Sequence, residues 1–365
     1  MSDRRLGTVV IGGSQSGLAV GYYLKQQDQS FVILDEHDRI GDAWRKRWDS
    51  LRLFTPGRYD GLPGMPFPGP PSSYPTKNET ADYLEAYARE FKLPFRTGVK
   101  VERVSRAENR FEVSWGDHTL LAENVVVATG ASNTPRIPGF ACELAESIVQ
   151  LHSKEYRNPS QIQKGAVLVV GAGNSGAEIA IELAPHHKIW LSGPDTGQEP
   201  ARAGSRLDHL ITPVMWFAAT RLTVKTALGR KLRDHFIDPP RGIPLGRVRR
   251  QDFAAAGIER VPRMTGVING RPVLEDGRRL EVSNVIWCTG FTPDYHWIDL
   301  ALPTRNGVPI HDRGIVESCP GLYFVGLLFL YSLSSALLGG VGRDAKHIVE
   351  HIVSTRPRPA AVPSR

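Results

Sequence analysis

The decapeptide Thr8-Val-Val-Ile-Gly12-Gly13-Ser14-Gln15-Ser16-Gly17 runs straight into LAVGYYLKQQ. Four residues make a strand, the glycines make a tight turn, and the apolar spacing then changes to that of a helix. The next strand, Phe31-Val-Ile-Leu34, ends on Asp35-Glu36. Strand, turn, helix, strand and acid in that order build a βαβ unit. Such a unit aims backbone N–H groups and a helix N-terminus at a pyrophosphate, and places the acid for ribose hydroxyls. Gly12 and Gly17 hold the outer places of the GxGxxG pattern and Ser14 the middle one, with Gly13, Gln15 and Ser16 completing the turn.

The pattern returns in cleaner form. Ala166-Val-Leu-Val-Val170 leads into Gly171-Ala172-Gly173-Asn174-Ser175-Gly176, the helical AEIAIELA and the strand Lys188-Ile-Trp-Leu191. Two such units imply two dinucleotides in one polypeptide, and electrons passing between them. Two further strands end alike, Val125-Val-Val-Ala128-Thr129-Gly130 and Val285-Ile-Trp-Cys288-Thr289-Gly290. Each follows a hairpin-rich stretch, 100–121 and 261–281, the second turning at Glu275-Asp276-Gly277. Each reads as a strand returning to a sheet. The symmetry predicts an α/β protein with two Rossmann-like dinucleotide-binding domains (three-layer ββα), the second inserted in the first. Residues 1–160 and 285–365 would form one domain and 161–284 the other.

Composition is consistent with this. The 36 glycines and 27 prolines exceed ordinary usage, but 41% hydrophobic residues exclude a disordered chain. Cys142, Cys288 and Cys319 are scattered without a CxxC pair, which argues against a disulfide scaffold, a zinc site and a local redox dithiol. With no charged-then-apolar leader in residues 1–13, the expectation is a cytoplasmic protein without bound metal. The net charge of +7 is concentrated in 195–250, which holds eleven Lys/Arg against five acids. No reading helix or stacking platform accompanies it, so nucleic acid is not the expected partner. That basic helical insertion mixes apolar and cationic residues. It either roofs the substrate path with its basic face outward or rests on an anionic membrane surface. The uncharged run LYFVGLLFLYSLSSALLGGVG is long enough to cross a bilayer, but its texture predicts a buried strand at 322–325, a break at Gly326 and a helix opening at Ser334-Ser335. The positive end of that helix would suit a negatively charged group.

Taken in order, GGSQSG, Gly41-Asp-Ala-Trp44, WDSLRLFTP, HSKEYR, GAGNSGAE, ATG, CTGF, PGLYFVG and GGVGRDA resemble class B flavin-dependent monooxygenases. This group includes flavin-containing monooxygenases and plant auxin-biosynthesis flavoproteins, and the likeness is greatest to the compact bacterial CzcO-type flavoproteins. It spans nearly the whole chain. It implies FAD on the first unit, near Ala43, Trp44, Thr129, Gly130, Gly326 and Ser335, and NADPH, or NADH, on the second, near Thr289 and Gly290. Three features depart from that pattern. His152 and Tyr156 match the family fingerprint, but Glu146 and Ile148 stand where an aromatic residue and a glycine belong. Thr55 stands nearest to an asparagine that members place beside the flavin. Ser192-Gly193-Pro194 lacks the arginine expected at a 2′-phosphate, leaving Arg202 or Arg206 to reach it.

The reading that follows is an FAD-dependent, NAD(P)H-consuming monooxygenase, inserting one atom of O₂ into a nitrogen, sulfur or carbonyl centre of a small molecule. A reductase or oxidase of the same architecture is the alternative enzyme, and a flavin-bound redox sensor or partner-binding module the alternative of another class. Flavin monooxygenation asks little acid–base chemistry of the protein, and no catalytic side chain is assigned. His152 reads better as a backbone-bonded linker residue than as a base. Monomer and homodimer both remain open.

Overall fold

The protein is described by a computed structural model covering residues 5–130, 134–237 and 242–355. Asp238 and Arg241 of the basic segment lie outside these residues. Two sheets organise the chain. The first runs Phe95–Arg96, Phe31–Leu34, Arg5–Ile11, His118–Val127, Arg110–Trp115, Arg103–Ala107, with Leu322–Phe324 also paired to His118–Val127. His118–Val127 serves two structures at once. Its first half pairs antiparallel with Arg110–Trp115, and its second half parallel with Arg5–Ile11 and Leu322–Phe324. The second sheet is wholly parallel, in the order Glu259–Val261, Ile189–Ser192, Val167–Val170, Asn284–Trp287, Val149–His152.

Unbroken apolar strands are expected where both faces of a parallel sheet are covered, and the cores show this. Val10, Ile33, Val126 and Tyr323 point to one face, where helices Gln15–Gln26 and Val341–Thr355 supply Leu18, Leu24, Ile348 and Ile352. Val9, Ile11, Val32, Leu34, Val125 and Val127 point to the other, against Phe111, Val113 and Phe324. The second sheet repeats the scheme. Val167, Val169, Leu191 and Ile286 meet helix Asn174–Leu183, while Leu168, Val170, Val285 and Trp287 meet Leu274 and Leu280.

The two-Rossmann α/β architecture expected from the sequence is present, with two differences in detail. Asn284–Trp287 lies between Val167–Val170 and Val149–His152, so the strand read as the return to the first domain belongs to the second sheet. The return comes later, through a ribbon in which Phe291–Thr292 pairs antiparallel with Thr134–Pro135. Thr134–Pro135 and Phe291–Thr292, each a little beyond a strand-end Thr-Gly pair, thus lie side by side. The other difference is at the uncharged run. Strand Leu322–Phe324 forms and Gly326 ends it (φ +85°), but Ser334 and Ser335 lie in a single 3₁₀ turn, Leu333–Ala336, and the long helix starts only at Val341. Gly339 and Gly340 explain the interruption. A Cβ at Gly339 would lie 1.6 Å from the Tyr59 carbonyl oxygen, and one at Gly340 1.9 Å from that of Ser334. Among the described residues no helix is long and apolar enough to cross a membrane.

Candidate functional site

The first glycine turn is shaped by contact. Gly12 sits at φ +104°, where side chains are disfavoured, and its Cβ would be 2.7 Å from the Ala128 carbonyl. A Cβ on Gly17 would be 1.9 Å from the Gly12 oxygen. The turn is therefore pressed against the strand that ends at Thr129-Gly130. Ser14 stands at the N-cap of Gln15–Gln26, yet its hydroxyl caps nothing. It donates instead to Gln15 Oε1 (2.6 Å), which also accepts from Trp44 Nε1 (3.2 Å). The first-turn N–H groups are left for an anion, which a helix N-terminus favours electrostatically. Ser16 is buried against Gly326, where a Cβ would come within 2.1 Å of its hydroxyl.

Asp35 clamps this turn. Its carboxylate accepts the Gly13 N–H (2.6 Å) and the His37 N–H (2.9 Å), and pairs with His37 Nδ1 (2.8 Å). Burial pushes the carboxyl up, but the hydrogen bonds from His37 and Gly13 outweigh it and hold Asp35 below its ordinary value. The same pairing raises His37. Glu36 is exposed beside it. Gly41, at φ +90°, starts the short helix Asp42–Arg45 that carries Ala43 and Trp44. Trp44 is half-buried and packs against the cores of both sheets. Buried Lys77 holds the following turn, its ammonium donating to the Arg45 and Arg47 carbonyls and pairing with Asp49 at 2.7 Å.

The Pro/Gly-rich loop 55–75 is ordered by tyrosines. Tyr83 OH donates to the Met65 carbonyl and accepts the Leu62 N–H, while Tyr87 OH donates to the Pro63 carbonyl. Thr55 donates to Asp60 Oδ1 (2.5 Å). Asp60 is fully buried, its other oxygen has no partner among the described residues, and burial pushes its carboxyl up to about 7. Thr55 is thus committed to Asp60, a residue that sequence patterns did not single out. Ser335 is also committed. It is fully buried and its hydroxyl accepts the N–H groups of Tyr331 and Ser332, so its role in the structure is to close the 3₁₀ turn.

The second glycine turn repeats the first. Gly171 (φ +107°) faces the Cys288 carbonyl, where a Cβ would fall 2.2 Å from the oxygen, and a Gly176 Cβ would lie 1.8 Å from the Gly171 oxygen. Gly173 differs. No described atom comes within 4 Å of where its Cβ would be, and it opens helix Asn174–Leu183 without a side-chain cap. Ser175 is half-buried on the first turn of that helix. Asn174 is occupied structurally, donating to the Ile243 and Pro244 carbonyls and accepting the Gly246 N–H. Next to it, Arg247 bridges the units by donating to Glu178 (2.6 Å) and to the Leu53 carbonyl (2.8 Å). Thr289 donates to the Arg136 carbonyl, and the Gly290 carbonyl accepts from Arg136 N–H and from His152 Nε2 (3.0 Å). His152 is buried, its Nδ1 accepts the Lys154 N–H, and burial lowers its pKa. The geometry supports a neutral, backbone-bonded histidine, placed at the end of strand Val149–His152 and not in a linker.

Beyond strand Ile189–Ser192 the cations come from places the sequence did not signal. Arg260 donates to the Gly193 carbonyl (2.8 Å) and Arg250 pairs with Asp195 (2.5 Å). Parallel register places Arg260 beside Leu191, a proximity invisible over 69 residues of chain. Arg202 is paired with Asp252. It lines a cleft of about 440 Å³ with Gln198, Ser205, Arg249 and Arg250. Arg206 starts the next helix and is exposed. Among the described residues no cluster of His, Cys, Asp or Glu could hold a metal, and all three cysteines are free.

Two sheets with parallel central strands, each carrying a glycine turn under an uncapped helix N-terminus, define the class: an oxidoreductase of the two-dinucleotide type. The profile of the pyridine nucleotide-disulphide oxidoreductases matches residues 9–222, and the chain belongs to that family. It is 41% identical to a CzcO-like oxidoreductase of Geobacillus kaustophilus, covering 95% of this chain and 98% of that one. It is 32% identical to an indole-3-pyruvate monooxygenase of Oryza sativa over 64% of this chain and 55% of the relative. Among solved structures, the flavin-containing monooxygenase of Stenotrophomonas maltophilia superposes with a TM-score of 0.75 at 30% identity, over 96% of this chain and 98% of that one.

Proposed function

We propose that the protein is an FAD-dependent, NADPH-consuming monooxygenase acting on a soft nucleophilic or carbonyl centre of a small molecule. The observation that carries this is the pairing of two pyrophosphate-ready turns in a chain similar over nearly its full length to a flavin-containing monooxygenase. The domain division goes with it: an FAD unit built on the first sheet, and a coenzyme unit bounded by strands Val149–His152 and Asn284–Trp287.

The residues present fit the groups. Gly12, Gly13, Ser14, Gln15, Ser16 and Gly17 form a turn that the missing side chains of Gly12 and Gly17 let pack against its own strand. The helix that follows has no side-chain cap and would receive a pyrophosphate. Asp35 and Glu36 would serve the ribose, and Trp44, bonded to Gln15, would lie beside the turn. Thr129, Gly130 and Gly326 border the same turn. When bound, FAD supplies electron transfer from the nicotinamide and the activation of O₂. The chain's own contributions are binding and exclusion. Gly173 would let backbone approach the coenzyme pyrophosphate, while Gly171 and Gly176 hold the turn against its strand, with Thr289 and Gly290 expected alongside. Arg202, Arg250 and Arg260 offer guanidinium groups to a 2′-phosphate. Loop 55–75 and the turn Leu333–Ala336 wall the flavin side from water.

The test is to follow NADPH oxidation by the flavin-loaded protein under isotopically labelled O₂ with a thioether, a tertiary amine and a ketone. Labelled oxygen in product, with peroxide well below NADPH consumed, supports the reading. Peroxide equal to NADPH consumed with every substrate overturns oxygenation in favour of an oxidase.

A further inference from the structure

Helix Arg206–Arg221 wears its faces the wrong way round for a helix on a water-exposed surface. Its inner face is polar and aromatic. Asp208 is buried and receives hydrogen bonds from Tyr74 and Thr212, Trp216 stacks on Tyr59 with ring centroids 4.9 Å apart, and the Thr220 carbonyl accepts from Arg343 at 2.8 Å. The opposite face carries Leu207, Leu210, Val214 and Phe217, which are 51, 74, 68 and 63% exposed. Spacings of three, four and three residues put these side chains in one stripe. An amphipathic surface helix turns its polar face to water, and a contiguous apolar stripe there marks a site of contact. Leu228, 60% exposed on the next helix, Ala227–Ile237, adds to it.

The stripe is set in positive charge. Between residues 206 and 237 there are six cations, Arg206, Arg221, Lys225, Arg230, Lys231 and Arg233, and two acids. Five of the six cations are exposed and Arg233 is half-buried and paired with Asp234, whereas Asp208 is buried. We propose that this helical pair docks the protein peripherally on an anionic lipid surface, the apolar stripe entering the acyl boundary and the cations meeting headgroup phosphates. Leucine and phenylalanine on one face with Arg/Lys beside them is the composition an interfacial helix needs. Charge selects this occupant over a second copy of the chain, because a copy would press the same cationic rim against itself on a protein of net charge +7. With 16 residues, the helix lies on the surface and does not span it. Its inner face rests on Tyr59, Tyr74 and the turn Leu333–Ala336. Docking therefore brings loop 55–75 to the bilayer, where an apolar small molecule would be concentrated.

Co-sedimentation of the full chain with vesicles tests this. Phosphatidylcholine vesicles containing phosphatidylglycerol should pellet the protein, vesicles of phosphatidylcholine alone should not, and added salt should release it. The double variant Leu210→Glu, Phe217→Glu should lower the bound fraction by about tenfold. Ile310→Glu, at an exposed apolar position elsewhere, should bind like the parent. Both variants should melt like the parent, since these side chains face solvent. The proposal is overturned if the parent stays in the supernatant with anionic vesicles, or if the double variant pellets as the parent does. It is equally overturned if light scattering shows a dimer that Phe217→Glu dissolves, which would give the face to a second copy.

Discussion

Gly173→Ala separates a glycine needed by the fold from one needed by a ligand. At Gly173 the backbone is extended at φ −75°, which alanine adopts without strain, and no described atom lies within 4 Å of the new methyl. Replacing a glycine N-cap by alanine costs about 0.5–1 kcal/mol, and stiffening the unfolded chain returns about 0.4–1 kcal/mol. Stability should therefore stay within about 0.5 kcal/mol of the parent. The methyl would nevertheless occupy the space through which a pyrophosphate reaches the first-turn N–H groups of Asn174–Leu183. Losing one charge-assisted hydrogen bond costs about 1.5–3 kcal/mol, or roughly 10- to 150-fold in affinity. The expected result is an unchanged melting curve and flavin content with a KM for NADPH raised by that factor. Gly176→Ala is the contrasting case. Its methyl would sit 1.8 Å from the Gly171 oxygen, so it should lower the melting temperature and yield of folded protein. A Gly173→Ala enzyme with its KM for NADPH within twofold of the parent would refute the assignment of this turn to the coenzyme.

Other residues give independent tests. Asp60 is protonated in the folded protein up to about 7, whereas an unfolded chain ionises it near 3.8. Folding stability is thus unaffected below that ordinary value and falls as pH rises through the window to about 7. Asp60→Asn should melt higher than the parent at about pH 8, by on the order of 2–4 kcal/mol at most, and level with it near pH 4. Asp35 has the opposite sign. Its lowered pKa stabilises the fold at neutral pH and that stabilisation is lost in acid, below about 4, so Asp35→Asn should flatten the acid limb of the stability profile and shed flavin on dilution. Arg260→Ala should raise the KM for NADPH about tenfold while leaving that for NADH within twofold. Equal effects on both coenzymes would remove Arg260 from the 2′-phosphate.

How much of this was legible in advance depends on how local the signal is. Glycines carry their reasons in the chain: Gly12, Gly17, Gly171 and Gly176 are forced by contacts within one strand–turn–helix unit or with the next strand of its sheet, so spacing alone located both turns. The apolar strand runs located the parallel central strands of both sheets for the same reason, because strands covered on both faces leave no place for polar alternation. Ser335 and Thr55 show the limit. Their residue type suits a cofactor contact, but neighbours three to five residues away, Tyr331 and Ser332 in one case and Asp60 in the other, are brought onto their hydroxyls by the way the chain turns. A hydroxyl's partner is a matter of three-dimensional proximity, to which residue type is blind.

The sequence by itself therefore determined the class of protein: two glycine turns of dinucleotide type, two covered sheets and the acid that follows the second strand. Tertiary structure alone decided where one unit stops and the other resumes, since Asn284–Trp287 has an apolar pattern that suits either sheet and only its pairing with Val167–Val170 and Val149–His152 assigns it. It also decided which cations stand at the end of Ile189–Ser192, through strand register, and which way the helix Arg206–Arg221 faces. Helical periodicity defines a stripe of Leu207, Leu210, Val214 and Phe217, but whether a stripe meets the core or the solvent depends on what packs against its opposite side. Here Tyr59 and Tyr74 hold the polar face inward and leave the apolar one outside.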